Sequence, residues 1–148
     1  MATPFSSSMT EPATTLERML LRHEDLRLKP YRDSVGKLTI GIGHNLDDNG
    51  ISKAAAYFIF REDISAAING VLRALPWISL LDEIRRAVLY NMAFNLGVSG
   101  LLGFKRMLAA LDRKDYEEAA REMLDSKWAV QVGSRADELA NMLRTGKA

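Results

Sequence analysis

The sequence predicts an α+β fold that is mostly helical, with a small N-terminal β-sheet lobe, a long connecting helix and a C-terminal helical bundle. Three observations carry that reading. Residues 38–43, LTIGIG, alternate with period 2 in a chain whose apolar residues otherwise recur every three to four positions. Ala56, Ile59/Phe60, Ile64, Ala67, Val71 and Leu75 then form one uninterrupted helical stripe. The stretch from Ile84 to Leu96 is apolar nearly all round, which marks a central core helix.

The elements follow in order. Thr14 and Glu17 have the spacing of a capping box, with Thr14 at the N-cap. Leu16, Leu20 and Glu24 then fall at i, i+4 and i+8, so Glu24 shares the leucine face. From Leu28 to Leu46 a small antiparallel sheet or hairpin is expected, with turn chemistry at Asp33-Ser34-Val35-Gly36. Strand alternation points Leu38, Ile40 and Ile42 one way and Thr39, Gly41 and Gly43 the other. Asp47 to Gly50 is the next loop. Ser52 caps a long helix that Pro76 stops near Leu75. Ser79 with Asp82 begins the core helix, which Gly97 ends. Shorter helices are expected over about 103–112, 115–125 (Asp115 at the cap, with Glu118) and 134–145 (Ser134 at the cap). Residues 1–13, rich in Ser, Thr and Pro, read as a flexible tail before a single domain over 14–146. Its N-terminal lobe should span about 24–60, and its C-terminal lobe about 76–146 plus the first helix.

Composition excludes several classes. A hydrophobic fraction of 47% argues against global disorder. A net charge of +1 with interspersed signs leaves no electrostatic footprint for nucleic acid. The absence of cysteine removes disulfides and thiolate metal sites, and two histidines far apart argue against zinc. No metal or organic cofactor is expected. The N-terminus has neither the basic nor the apolar region of a secretory signal. Ala87 to Phe104 is uncharged and nearly long enough to span a membrane. It holds Asn91, Asn95, Ser99 and three glycines, so a buried helix followed by a turn is expected, without stable membrane insertion.

The chemistry concentrates between Glu24 and His44. A carboxylate facing partly apolar surroundings is costly to ionise, and a retained proton is what a general acid needs. The plainer alternative is that Glu24 is the last polar residue of a fraying helix. Asp33 begins a turn, where aspartate is common for structural reasons. Thr39 is ordinary in a strand, but two glycines on its face suggest close approach of a ligand or another backbone. A bulge or tight bend explains the same glycines. His44, at the end of the strand, is paired here with Asp63 beside the long helix's apolar stripe, since a buried carboxylate needs a partner. Two acids with a water-positioning hydroxyl suit glycoside hydrolysis, in which one acid protonates the leaving oxygen and the other helps activate water.

These residues also carry a family likeness. The segments EDLRLKPYRD, TIGIGH, ISKAAAYFIFREDISAAI, IRRAVLYNMAFNLG, GF, SKWAVQ and RTG occur in an order that resembles the phage lysozymes, or endolysins, of the T-even type (glycoside hydrolase family 24). The likeness runs from Leu16 to Gly146 and implies a lysozyme-like two-lobe fold. It also implies hydrolysis of the β-1,4 bond between N-acetylmuramic acid and N-acetylglucosamine in peptidoglycan, bound between the lobes. By position Glu24 matches the general acid, Asp33 the second carboxylate and Thr39 the residue that helps hold the attacking water. An inverting mechanism is implied, with the carboxyl groups roughly 6.5–9.5 Å apart. His44 and Asp63 match a structural ion pair, Phe94 and Asn95 match positions lining the cleft, and Arg135 matches an arginine near the catalytic acid. The sequence departs from the family's best-known members in a shorter loop after His44, a C-terminus close behind RTG, an additional N-terminal tail and an asparagine, Asn95, where some relatives have glutamine.

Alternative readings are a lytic transglycosylase, which needs only the acid, and a non-catalytic peptidoglycan-binding module, which would tolerate loss of Glu24. A helical interaction domain would rest on Arg85-Arg86 and the basic residues near Lys105, although Arg85-Arg86 reads more simply as a solvated helix edge. The expected localisation is the host cytoplasm, followed by release to the cell wall through a separately encoded pore protein (a holin). The expected state is a monomer.

Overall fold

The structure, a computed structural model, describes residues 10–12 and 14–148. The expected tail, residues 1–13, therefore lies outside the described residues except at 10–12. The chain forms two compact units, Met1–Ala56 and Tyr57–Ala148. In this division the first helix belongs with the sheet. The expected assignment of that helix to the helical lobe stands as a proposal.

In the first unit, α1 (Thr15–Glu24) starts at the expected capping box, with Thr14 Oγ1 accepting from the Glu17 N–H and the Glu17 carboxylate accepting from the Thr14 N–H. The helix stops at Glu24, with Asp25 as its C-cap. Asp25 takes φ 65°, ψ 157°, and its N–H closes the helix on the Leu21 carbonyl. α1 buries no residue, and Glu24 is exposed, so the expected apolar setting for this carboxylate is not found.

Three antiparallel strands follow in the order β1 (Arg27–Arg32), β2 (Leu38–Gly41) and β3 (His44–Asn45). The β1–β2 register is irregular between Arg27 and Tyr31, around Pro30, which has no N–H to give and sits on an edge strand. The expected alternation through residue 43 is cut short. β2 ends at Gly41, and the chain turns through Ile42 and Gly43 into β3. Both glycines have positive φ, +69° and +67°, so a tight bend accounts for both of them. Asn45 caps α2 (Leu46–Asn49), a single turn, through the Asp48 N–H.

The long helix α3 (Lys53–Ala74) has Ser52 at its start, its hydroxyl accepting from the Ala55 N–H. Pro76 begins a 3₁₀ turn, Pro76–Leu80, that contains Ser79, so the cap of the next helix is Asp82 alone. That helix, α4 (Glu83–Leu102), resumes after the expected stop. Gly97 is non-helical (φ 79°, ψ 161°), and the chain regains helix beyond it. The bundle is completed by α5 (Lys105–Asp112), α6 (Tyr116–Leu124), α7 (Lys127–Val132) and α8 (Ser134–Thr145). α7 is absent from the sequence-based expectation. Its cap, Ser126, accepts from the Ala129 N–H, and a six-residue helix has too little periodicity to register.

The core lies in the second unit, where Val71, Ile78, Val88, Leu89, Met92, Leu101, Met107, Leu111, Met123 and Leu143 are fully buried. No single helix among the described residues is long and apolar enough to cross a membrane. Arg85 corrects an expectation. Its side chain is only 11% exposed, lies 3.4 Å over the Tyr116 ring and donates to the carbonyls of Leu143 (2.6 Å) and Arg144 (2.9 Å) at the end of α8. It is a clamp on the last helix rather than a solvated edge. Burial pushes the Asp82 carboxyl up, but hydrogen bonds from the Arg85 N–H and guanidinium outweigh it and hold the group below its ordinary 3.8.

Candidate active site

The first unit gathers Glu24, Asp33 and Thr39 around one small sheet. Glu24 is the last residue of α1, and its side chain lies against the β2–β3 turn. The contact is with Gly43, where a Cβ would stand 2.6 Å from Glu24 Oε2 and 2.8 Å from its Cδ. Within this unit's described residues the carboxylate makes no hydrogen bond or ion pair. It is an exposed, uncommitted acid at the edge of a hairpin.

Asp33 and Thr39 are joined through the peptide groups of Lys37. Asp33 Oδ1 accepts from the N–H of Val35 (3.0 Å) and of Lys37 (2.8 Å). The Lys37 carbonyl in turn accepts from the Asp33 N–H and from the Thr39 hydroxyl, both at 2.9 Å. One carboxylate oxygen is thus spent on the turn, as its structural reading supposed. The other, Oδ2, has no partner among the described residues. Thr39 is 3% exposed and is the one buried polar residue among those described, so it does not lie on an open strand face as expected. Its proton is committed to Lys37, which leaves the hydroxyl's lone pairs to accept from a water. Sequence reasoning missed Lys37 because its backbone does this work, and backbone leaves no signature in residue type.

Charged groups brace the hairpin from outside. The Lys37 ammonium bonds the Asp48 carboxylate at 2.8 Å, Asp47 accepts from the Leu38 N–H at 2.8 Å, and Arg32 lies 3.5 Å from Asp47. The Asp48 hydrogen bond and charge raise Lys37 above its ordinary 10.5. The Lys37 hydrogen bond, helped by Asn45, lowers Asp48 below 3.8 against a partial desolvation. His44 gives its Nε2 proton to the Gly50 carbonyl. His44 belongs to the first unit and Asp63 to the second, so their pairing stays an expectation.

The remaining predicted residues sit in the second unit. Phe94 and Arg135 line a hollow of about 410 Å³ with Phe60, Ile64, Tyr90 and Asn91. Arg135 is held there by Asn91, whose Oδ1 accepts from its Nε (3.0 Å) and from a terminal guanidinium nitrogen (2.7 Å). Asn95 Oδ1 accepts from the Trp128 indole at 2.8 Å, and Phe104 packs edge-on against Trp128. Asn91 and Trp128 are the partners missed in sequence. Trp128 rides on the short helix α7, and Asn91 is the residue of α4 through which Arg135 is fixed. No cluster of metal-ligating residues occurs among the described residues.

Comparison with known proteins places the chain in a family. The family model described as phage lysozyme matches residues 21–144, and the chain belongs to that family. It is 30% identical to a probable T4-type lysozyme 2 of Dictyostelium discoideum, an alignment covering 90% of this chain and 95% of the relative. It is 34% identical to the endolysin of Salmonella phage P22 over 71% of this chain and 75% of that one. It is 31% identical to the pre-baseplate central spike protein Gp5 of Enterobacteria phage T4, covering 97% of this chain but 30% of that longer protein. The protein is a lysozyme, a glycoside hydrolase acting on peptidoglycan, with a lysozyme-like α+β fold.

Proposed function

We propose that the enzyme hydrolyses the β-1,4 bond between N-acetylmuramic acid and N-acetylglucosamine with inversion, using Glu24 as general acid, Asp33 as the second carboxylate and Thr39 as a water-holding hydroxyl. The observation that supports this most is the Asp33–Lys37–Thr39 network on the sheet whose turn seats Glu24. Protonation of the glycosidic oxygen by Glu24 releases the leaving sugar. A water accepted by Asp33 Oδ2 and donating to the Thr39 hydroxyl attacks the anomeric carbon from the opposite face and loses its proton to Asp33. Phe94, Asn95 and Arg135 are proposed to bind the glycan, and the His44–Asp63 pair to have a structural role.

The test is the configuration of the new reducing end, read by proton NMR during the first turnovers on solubilised glycan strands. Inversion yields the α-anomer first. The β-anomer first would mean a covalent intermediate, and 1,6-anhydro ends would move the enzyme to the transglycosylases.

The endolysin relatives support a role in host cell lysis. We further propose a monomer that is made in the host cytoplasm and released to the cell wall through a separate holin. Fractionating cells that express the protein without such a partner checks this. Its appearance in the periplasm under those conditions would reject the dependence.

A further inference from the structure

We infer that Gly43 is a positioning residue for the acid step, a conclusion that rests on Glu24 being the acid. The hairpin has two glycines with nearly the same backbone, Gly41 at φ +69° and Gly43 at φ +67°. Either would be strained by any side chain, so conformation alone does not distinguish them. Space does. A Cβ at Gly41 meets nothing within 4 Å, whereas a Cβ at Gly43 falls 2.6 Å from Glu24 Oε2, 2.8 Å from Cδ and 3.0 Å from Cγ. The bare Cα of Gly43 is the surface on which the Glu24 carboxylate rests.

The crowded atoms are the far end of a flexible side chain. An added methyl would therefore be relieved by movement of the carboxylate, not of the backbone. To reach ordinary van der Waals distance the carboxylate would have to withdraw by on the order of 1 Å. Misplacing a reacting group by about 1 Å can cost on the order of 100-fold in rate. The strain of positive φ is thus common to both positions, while displacement of the acid belongs to Gly43 alone.

The matched pair Gly41→Ala and Gly43→Ala tests this, with kcat, KM and thermal midpoint measured on solubilised peptidoglycan strands beside wild type and Glu24→Gln. Both alanine variants should lose a similar amount of thermal midpoint. Gly41→Ala should keep kcat within about threefold of wild type, while Gly43→Ala should lower it about 100-fold at unchanged KM. Equal kcat in the two variants would overturn the inference while leaving the acid assignment intact. Wild-type kcat in Glu24→Gln would remove the acid assignment itself. Should Gly43→Ala fail to fold, adding Glu24→Ala, which clears the side chain from the turn, should restore folding; failure of that double variant too would overturn the inference.

Discussion

In the proposed mechanism Asp33 has two roles on one side chain. Its Oδ1 builds the turn and its Oδ2 is proposed to take the water's proton, so the two roles are separable by substitution. Asp33→Asn keeps an acceptor for the Val35 and Lys37 N–H groups but loses the base. It should melt within a few degrees of wild type while losing at least 100-fold in kcat. Asp33→Ala removes the acceptor as well and should cost a further 1–2 kcal/mol or so in denaturant unfolding. If the asparagine variant were destabilised as much as the alanine variant, the turn would not be using Oδ1 as described. At this scale the sequence was informative about identity and poor about setting. Residue type alone read Asp33 as a turn residue and Thr39 as an ordinary strand residue, and their catalytic roles came only from the family resemblance; the turn contacts of Asp33 agree with the first reading. The burial of Thr39 was not legible, because a threonine in a strand faces either side equally well. The glycines were read as either a close approach of a ligand or another backbone or a tight bend, and both prove to lie in a bend. That the approaching group at Gly43 is Glu24, a residue 19 positions earlier, depends on tertiary placement.

Among the elements, the β-hairpin of the first unit is braced by charge. Asp48 is lowered in the folded state, so its contribution is complete above its ordinary 3.8 and is lost as pH falls through the lower folded value. Lys37 is raised, so its contribution is complete below 10.5 and is lost as pH rises through the higher folded value. Thermal midpoints followed across pH should therefore fall away at both the acid and the alkaline end, and Lys37→Met should flatten this pair's part of each flank. Both groups are solvent-exposed, and raising the salt concentration should weaken the effect in the same way. Unchanged flanks in Lys37→Met would show that the pair does not brace the hairpin. The caps of α1, α3 and α6 were read correctly from Thr14, Ser52 and Asp115, because a capping side chain acts within three residues of itself; the expected Ser134 cap is instead the first residue of α8, whose N-cap is Gly133 with no side-chain bond. α7 and the continuation of α4 past Gly97 were not read. The first is too short to show a period, and the second depends on tertiary packing outweighing a glycine stop signal.

For the whole molecule, the division of labour is between a first unit that carries the proposed reacting groups and a second that carries the core. Every fully buried large side chain of the core belongs to the second unit. The apolar Ile84–Leu96 stretch made that core legible, and Val88, Leu89 and Met92 are indeed buried without exposure. The first unit instead relies on turns, caps and ion pairs, which is consistent with a short sheet and a single amphipathic helix having little apolar area to cover. A substitution confined to its reacting acid should accordingly leave global stability alone. The most direct measurement is the rate of peptidoglycan hydrolysis by Glu24→Gln against wild type, with thermal unfolding recorded on both. The account predicts a loss of about 100-fold or more in kcat at an unchanged midpoint. Hydrolysis at the wild-type rate by a folded Glu24→Gln would contradict it.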